Sequence, residues 1–215
     1  MNLSLGLGLG APSQVSAVAA APVILFGPDA LADLTAWTER DSLDAAGLSA
    51  GAYGVPSASG IYTASIYNGT AHPSAGTAFY IQATAATAFK SGTNTVLKFG
   101  FLFDINTPKD PESDGVPHGY VVTFYNGTCT IRERNGGAAS TVTSFACALD
   151  TNDVLKIVCT NTGGTSVATE VFKNGVSAGS TTDATPPTSL GTNWCLACTS
   201  INATARFKLP EMGRA

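Results

Sequence analysis

The chain has 215 residues, 44% of them hydrophobic and 12% charged, with a formal net charge of −4. That length admits one domain, or one domain with an appendage. The charged fraction is about half the ~25% of an ordinary soluble domain. The negative balance and the lack of any Lys/Arg cluster exclude the electrostatic footprint of a nucleic-acid binder. No run reaches the ~18 apolar residues of a membrane-spanning helix.

Residues 3–22, LSLGLGLGAPSQVSAVAAAP, carry no charged side chain. Leucine alternates with glycine at Leu5, Leu7 and Leu9, and small residues run on to Pro22. Val18-Ala19-Ala20-Ala21 resembles a cleavage site, but the first basic residue is Arg40 and the apolar stretch is broken by Gly6, Gly8 and Gly10, so the pattern does not read as a secretory signal. Glycine is costly to order in isolation. The expectation is therefore an extended arm over residues 1–25 that lies against another subunit. Leu3, Leu5, Leu7 and Leu9 are its anchors, and the glycines permit strand addition to a neighbour's sheet.

Residues 26–59 read as a connecting segment. It contains the only plausible helical turn, DALADLTAW (29–37), with Asp29 as N-cap after Pro28. Beyond it, helical periodicity almost vanishes. GIYTASIYNG (60–69) alternates and turns at Asn68-Gly69, and TAFYIQATA (77–85) is aromatic and β-branched. TVLKFGFLFDI (95–105) places Val96, Lys98, Gly100, Leu102 and Asp104 on one face. Leu97, Phe99, Phe101, Phe103 and Ile105 fall on the other, expected to be core.

The second half repeats this logic. GYVVTFYNGTCTIRERNGG predicts strands at about 119–125 and 128–134, joined at Asn126-Gly127, with another turn at Asn135-Gly136-Gly137. An Asn-Gly between such runs is the strongest short hairpin signal. VTSFACAL, DVLKIVCT, SVATEVFKNGVSAGS, NWCLACTS and ATARFKLPEM follow as strands, with Asn174-Gly175 closing a further hairpin. Nine to eleven short strands with regular turns predict an all-β protein, an antiparallel sandwich or barrel over residues 60–215.

The order FGFLFDI, HGYVVTFYNGTCTIRER, DVLKIVCT, ATEVFKNGVSAGSTTD and ATARFKLPEM, spanning residues 60–210, resembles concanavalin A-like or laminin G-like jelly-roll sandwiches. In those a "DxLKI" strand precedes a strand ending in an "xNG" turn, and the last strand closes against the first. The Leu-Gly arm in front of such a module resembles small accessory proteins of tailed-phage particles. Together these imply a non-enzymatic structural protein of a phage virion. Its arm docks on other virion proteins, its jelly-roll β-sandwich projects, and the chain forms a homo-oligomer such as a trimer. The alternative implied by the same likeness is a free carbohydrate-binding module, with the arm as a linker.

The residues offer little catalysis. Glycosidases of concanavalin-like fold resemble one another in carrying two glutamates on one strand, facing one sugar bond. The five glutamates here, Glu39, Glu112, Glu133, Glu170 and Glu211, include no such pair, and Arg132 and Arg134 are expected to keep Glu133 ionised. His72 and His118 read as surface loop residues. KDPESDGVPHG (109–119) sets Asp110, Glu112 and Asp114 at alternate positions before Gly115, an oxygen-ligand spacing that fits calcium, although Val121 stands where an EF-hand places Glu. A solvated acidic loop explains the same pattern. No other cofactor is implied.

For a host glycan, Tyr53, Tyr62, Tyr67, Trp194 and Asn193 are the candidate contacts, against the competing reading of strand aromatics as core. The five cysteines, Cys129, Cys147, Cys159, Cys195 and Cys198, read as buried reduced thiols. Cys195 and Cys198 alone lack the partners of a zinc site. Asn68-Gly69-Thr70, Asn126-Gly127-Thr128 and Asn202-Ala203-Thr204 match the glycosylation pattern, as expected by chance in a Thr-rich chain with many Asn-Gly turns.

Overall fold

The computed structural model of the protein describes residues 22–41, 47–57, 61–67, 70–71, 76–104, 111–112 and 118–215. Leu3, Leu5, Leu7, Leu9, His72, Asp110 and Asp114 lie outside the described residues. The described chain contains strands and turns and no helix.

Among the described residues, fifteen strands form two antiparallel sheets. In chain order they are β1 (Val23–Phe26), β2 (Thr38–Asp41), β3 (Gly47–Ser49), β4 (Ala52–Val55), β5 (Ile61–Tyr67), β6 (Ala78–Ala85), β7 (Thr95–Phe103) and β8 (His118–Tyr125). They continue with β9 (Thr128–Asn135), β10 (Ala138–Ala146), β11 (Val154–Asn161), β12 (Val167–Lys173), β13 (Val176–Asp183), β14 (Asn193–Ile201) and β15 (Ala205–Arg214). One sheet has the order β13-β12-β11-β6-β15-β4-β3, with β1 also paired to β15; the other has the order β10-β9-β8-β7-β14-β5-β2. This is the all-β sandwich expected.

The hairpins follow from their turn residues. Asn126-Gly127 has φ of 51° and 79°, and Asn174-Gly175 has the same pair of values. Positive φ at both central positions defines the turn whose twist matches the flanking strands, and Asn-Gly tolerates it best. The core between the sheets takes Phe99, Phe101, Tyr120 and Phe124 from one side and Phe79, Ile157 and Phe207 from the other.

Two expectations are corrected. The segment 26–59 is no linker: it supplies the end of β1 and all of β2, β3 and β4, so the sandwich includes residues from Val23 rather than only those from residue 60. Strands of three or four residues are too short to show alternation, and β1, β2 and β4 pair with β15, β5 and β15, which are remote in sequence. The helical turn at 29–37 is instead an irregular connection. Asp29 Oδ1 accepts from the Leu31 amide at 2.8 Å, and its Oδ2 accepts from Trp37 Nε1 at 2.6 Å. An Asx turn that also holds a buried indole competes with helix formation.

A third correction concerns β7. Leu97, Phe99 and Phe101 face the core as expected, but Phe103 does not; Leu102 does. Between Gly100 and Phe103 the pairing to β14 shifts by one residue, and Leu102 sits at φ 58°. This bulge reverses the alternation. The Phe103 ring then lies on the outer face, over two glycines. A Cβ on Gly119 would stand 2.1 Å from Phe103 Cδ1, and one on Gly100 2.4 Å from its Cε2.

All five cysteines are free and buried. Cys195 and Cys198, three apart on a strand, face opposite sides: Cys195 joins Phe103 outside and Cys198 joins the core. They cannot converge on one metal ion. Burial pushes the Cys129 and Cys159 thiols well up and Cys198 up to about 12. Because the thiolate is the reactive form, the native protein is expected to resist DTNB at neutral pH, with five thiols appearing only in denaturant. Rapid native labelling would show that a cysteine-bearing strand opens. Among the described residues no helix is long and apolar enough to cross a membrane.

Candidate functional site

The outer face of the β7–β8–β9 ladder carries the densest polar chemistry. Since Tyr120, Val122 and Phe124 point into the core, Val121, Thr123 and Tyr125 point out. Lys98 pairs with Thr123 and Thr123 with Thr130; Val96 pairs with Tyr125 and Tyr125 with Thr128. Glu112 is placed over this ladder. Its Oε1 accepts from Thr123 Oγ1 at 2.9 Å and from Arg132 Nη1 at 2.8 Å, and its Oε2 stands 3.1 Å from Lys98 Nζ. Arg134 Nη1 donates to the Glu112 carbonyl. Charge-assisted contacts of this kind are about twice as strong as neutral ones. They hold Lys98 almost fully buried, at 4% exposure, without leaving its charge unpaired.

Beside this network lies an open groove of about 260 Å³, lined among others by Glu112, Thr123, Tyr125, Thr130 and Arg132. Tyr125 is 45% exposed, at the edge of the hairpin. An aromatic face next to a carboxylate, a guanidinium and several hydroxyls is the equipment a sugar ring needs: C–H bonds against the ring, hydroxyls to the polar groups.

The sequence-predicted residues fall in different places. Tyr67 is half-buried and packs against the outer-face cluster of Phe103, Val121 and Cys195. A single cross-strand row runs Tyr67–Cys195–Gly100–Val121–Arg132. At ~4.8 Å per strand, Tyr67 shares this face with the groove from roughly 19 Å away. Asn193 is half-buried, and its Nδ2 donates to the Phe103 carbonyl at 3.1 Å, bracing the bulge. Tyr62 pairs with Ser200 on β5, and its side chain lies outside the described residues.

Trp194 and Tyr53 are corrected to core. Trp194 is 1% exposed, with its ring 5.6 Å from Trp37 and its Nε1 donating to the Thr70 carbonyl at 2.8 Å. Tyr53 is fully buried and its hydroxyl reaches the Ser65 carbonyl. The strand parity that puts Leu196 and Cys198 inside carries Trp194 with them.

Of the calcium triplet only Glu112 is described, and among the described residues its carboxylate meets Lys98 and Arg132. Among the described residues no three acidic, His or Cys side chains gather into a metal site. His118 opens β8 rather than sitting in a loop, with Nδ1 2.8 Å from Asp104 Oδ2.

Glu133 is also corrected. Its strand neighbours Arg132 and Arg134 point to the outer face, whereas Glu133 turns between the sheets toward Asp183 on β13. Burial, then the Asp183 carboxylate, raises its pKa. Asp183 accepts from Tyr120 Oη at 2.6 Å and from the Thr185 amide at 2.9 Å. The two acids bond to each other, which leaves no gap for a glycosidic bond; a retaining pair stands ~5 Å apart.

No sequence family matches the chain, and no curated protein matches it. Solved structures do. A Bacillus subtilis protein of unknown function with galectin-like fold superposes at TM-score 0.63 and 10% identity, over 89% of this chain and 96% of that one. The Emp46p carbohydrate recognition domain gives 0.62 and 13% identity, over 86% and 91%. The CBM2 module of the evolved Dit of Lactobacillus casei BL23 phage J-1 gives 0.58 and 8%, over 90% and 95%. At these identities the likeness shows the fold. The chain has the galectin-like, lectin-type β-sandwich fold.

Proposed function

We propose that this protein is a non-enzymatic carbohydrate-binding module whose glycan lies in the groove of Tyr125, Glu112 and Arg132. The observation that carries this reading is the exposed Tyr125 ring beside a carboxylate–guanidinium pair on an otherwise poorly charged molecule. Its fold is shared with a domain described as a carbohydrate recognition domain and with a phage CBM2 module, which supports the same reading. Tyr67, four strands along the row, serves a longer glycan chain as a second contact. Tyr125→Ala is expected to weaken glycan capture by about tenfold, the effect of losing an aromatic anchor worth ~1.4 kcal/mol, with the melting temperature unchanged. Capture on a glycan array that is indifferent to Tyr125 would move the site elsewhere.

A second reading adds to the first: a structural protein of a phage particle, docked on other virion proteins through residues 1–25 and assembled as a trimer. The likeness to the phage J-1 Dit module favours it. Deleting residues 2–22 is then expected to convert the trimer to a monomer in light scattering. An oligomer that survives the deletion would remove the arm from assembly.

A further inference from the structure

We infer that the groove takes an acidic glycan, one bearing a uronate-type carboxylate or a sulfate ester, rather than a neutral one. The inference rests on the carbohydrate-binding reading above and concerns the ligand class of that same site.

Around Glu112 the described residues place three cations against one carboxylate. Lys98 Nζ and Arg132 Nη1 face its two oxygens, and Arg134 holds its carbonyl. Among the described residues Arg132 both pairs with the Glu112 carboxylate and lines the groove.

One donor edge is left over. Arg132 is 40% exposed and lines the groove; it spends Nη1 on Glu112, while Nε and Nη2 have no partner among the described residues. A guanidinium edge of this kind matches the two oxygens of a carboxylate or sulfate. The Thr123, Thr128 and Thr130 side chains beside it suit the sugar hydroxyls. A neutral sugar would leave the Arg132 edge with weaker acceptors. The chain as a whole carries −4, so general attraction of polyanions does not account for binding at this one place.

The full-length protein is tested on an array of carboxylated and sulfated oligosaccharides printed beside their methyl-esterified and desulfated counterparts. The expected result is capture of acidic forms, lost on esterification or desulfation. Arg132→Gln is expected to weaken it about tenfold, and raising the salt is expected to weaken the wild type. Equal capture of charged and neutral partners, or affinity indifferent to salt, overturns the inference and leaves the carbohydrate-binding reading standing. Capture of no glycan at all overturns both. If Arg132→Gln lowers the melting temperature, the salt series and the esterified pairs decide alone.

Discussion

Trp194→Ala is expected to destabilise the protein by about 3–5 kcal/mol, the range for removing a large buried aromatic side chain. Trp194 packs against Trp37 at 5.6 Å and Phe26 at 6.1 Å, and Phe26 meets Trp37 edge-on at 4.9 Å. The three rings come from β1, the 29–37 connection and β14, so they join the start of the described chain to the centre of the seven-stranded sheet. The substitution also leaves the Thr70 carbonyl without its indole donor. Denaturant unfolding measures the loss directly. A fully stable variant that instead lost glycan capture would return Trp194 to the ligand site.

The second large effect is on the pH dependence of stability. Glu133 and Asp183 meet between the sheets, with Tyr120, Ser140 and Thr185 as their hydrogen-bond partners and Cys159 facing Tyr120. Burial alone would raise Asp183, but the bonds from Tyr120, the Thr185 amide and Glu133 outweigh it and hold its carboxyl below the ordinary 3.8. Glu133 is raised above its ordinary 4.5.

The two contributions have opposite signs. Asp183 adds stability that is present above 3.8 and is lost as pH falls through its lowered folded value. Glu133 adds stability that is full below 4.5 and is lost as pH rises through its raised folded value, because folding takes up a proton in that window. Glu133→Gln keeps a donor for Asp183 but cannot titrate. Its melting temperature is expected to gain on the wild type as pH rises from mildly acidic to neutral. Asp183→Asn removes the charged acceptor of the Tyr120 hydroxyl and is expected to cost ~1–3 kcal/mol near neutrality. Parallel wild-type and Glu133→Gln curves would place Glu133 in water.

The reassignment of Glu133 shows how a local reading fails. Arg132 and Arg134 are its neighbours in sequence, but successive side chains on a strand point to opposite faces. The arginines therefore belong to the outer network on Glu112, and Glu133 belongs to the interior. The parity that decides this was already present in Tyr120, Val122 and Phe124. It also puts Tyr125 outside and, carried through the Asn126-Gly127 turn, Arg132. Tyr125 was thus legible in the sequence, and Arg132 with it.

Length, turn chemistry and period-two patterning were enough for the sequence alone to determine an all-β sandwich, the hairpins at Asn126-Gly127 and Asn174-Gly175, and the core face of β7 as far as Phe101. These are local properties, set within a few residues by allowed φ and by side-chain alternation. Tertiary structure alone decided the rest. The short strands β2 and β4 exist because β5 and β15 offer them edges, and β3 adds to β4. The bulge at Leu102 moves Phe103 from the core between the sheets to a buried cluster on the outer face because the β14 register demands it. Glu112 reaches Lys98, Thr123 and Arg132 across 11 to 20 residues of sequence. Such contacts depend on which strands lie side by side, and strand order is a global property that no local pattern encodes.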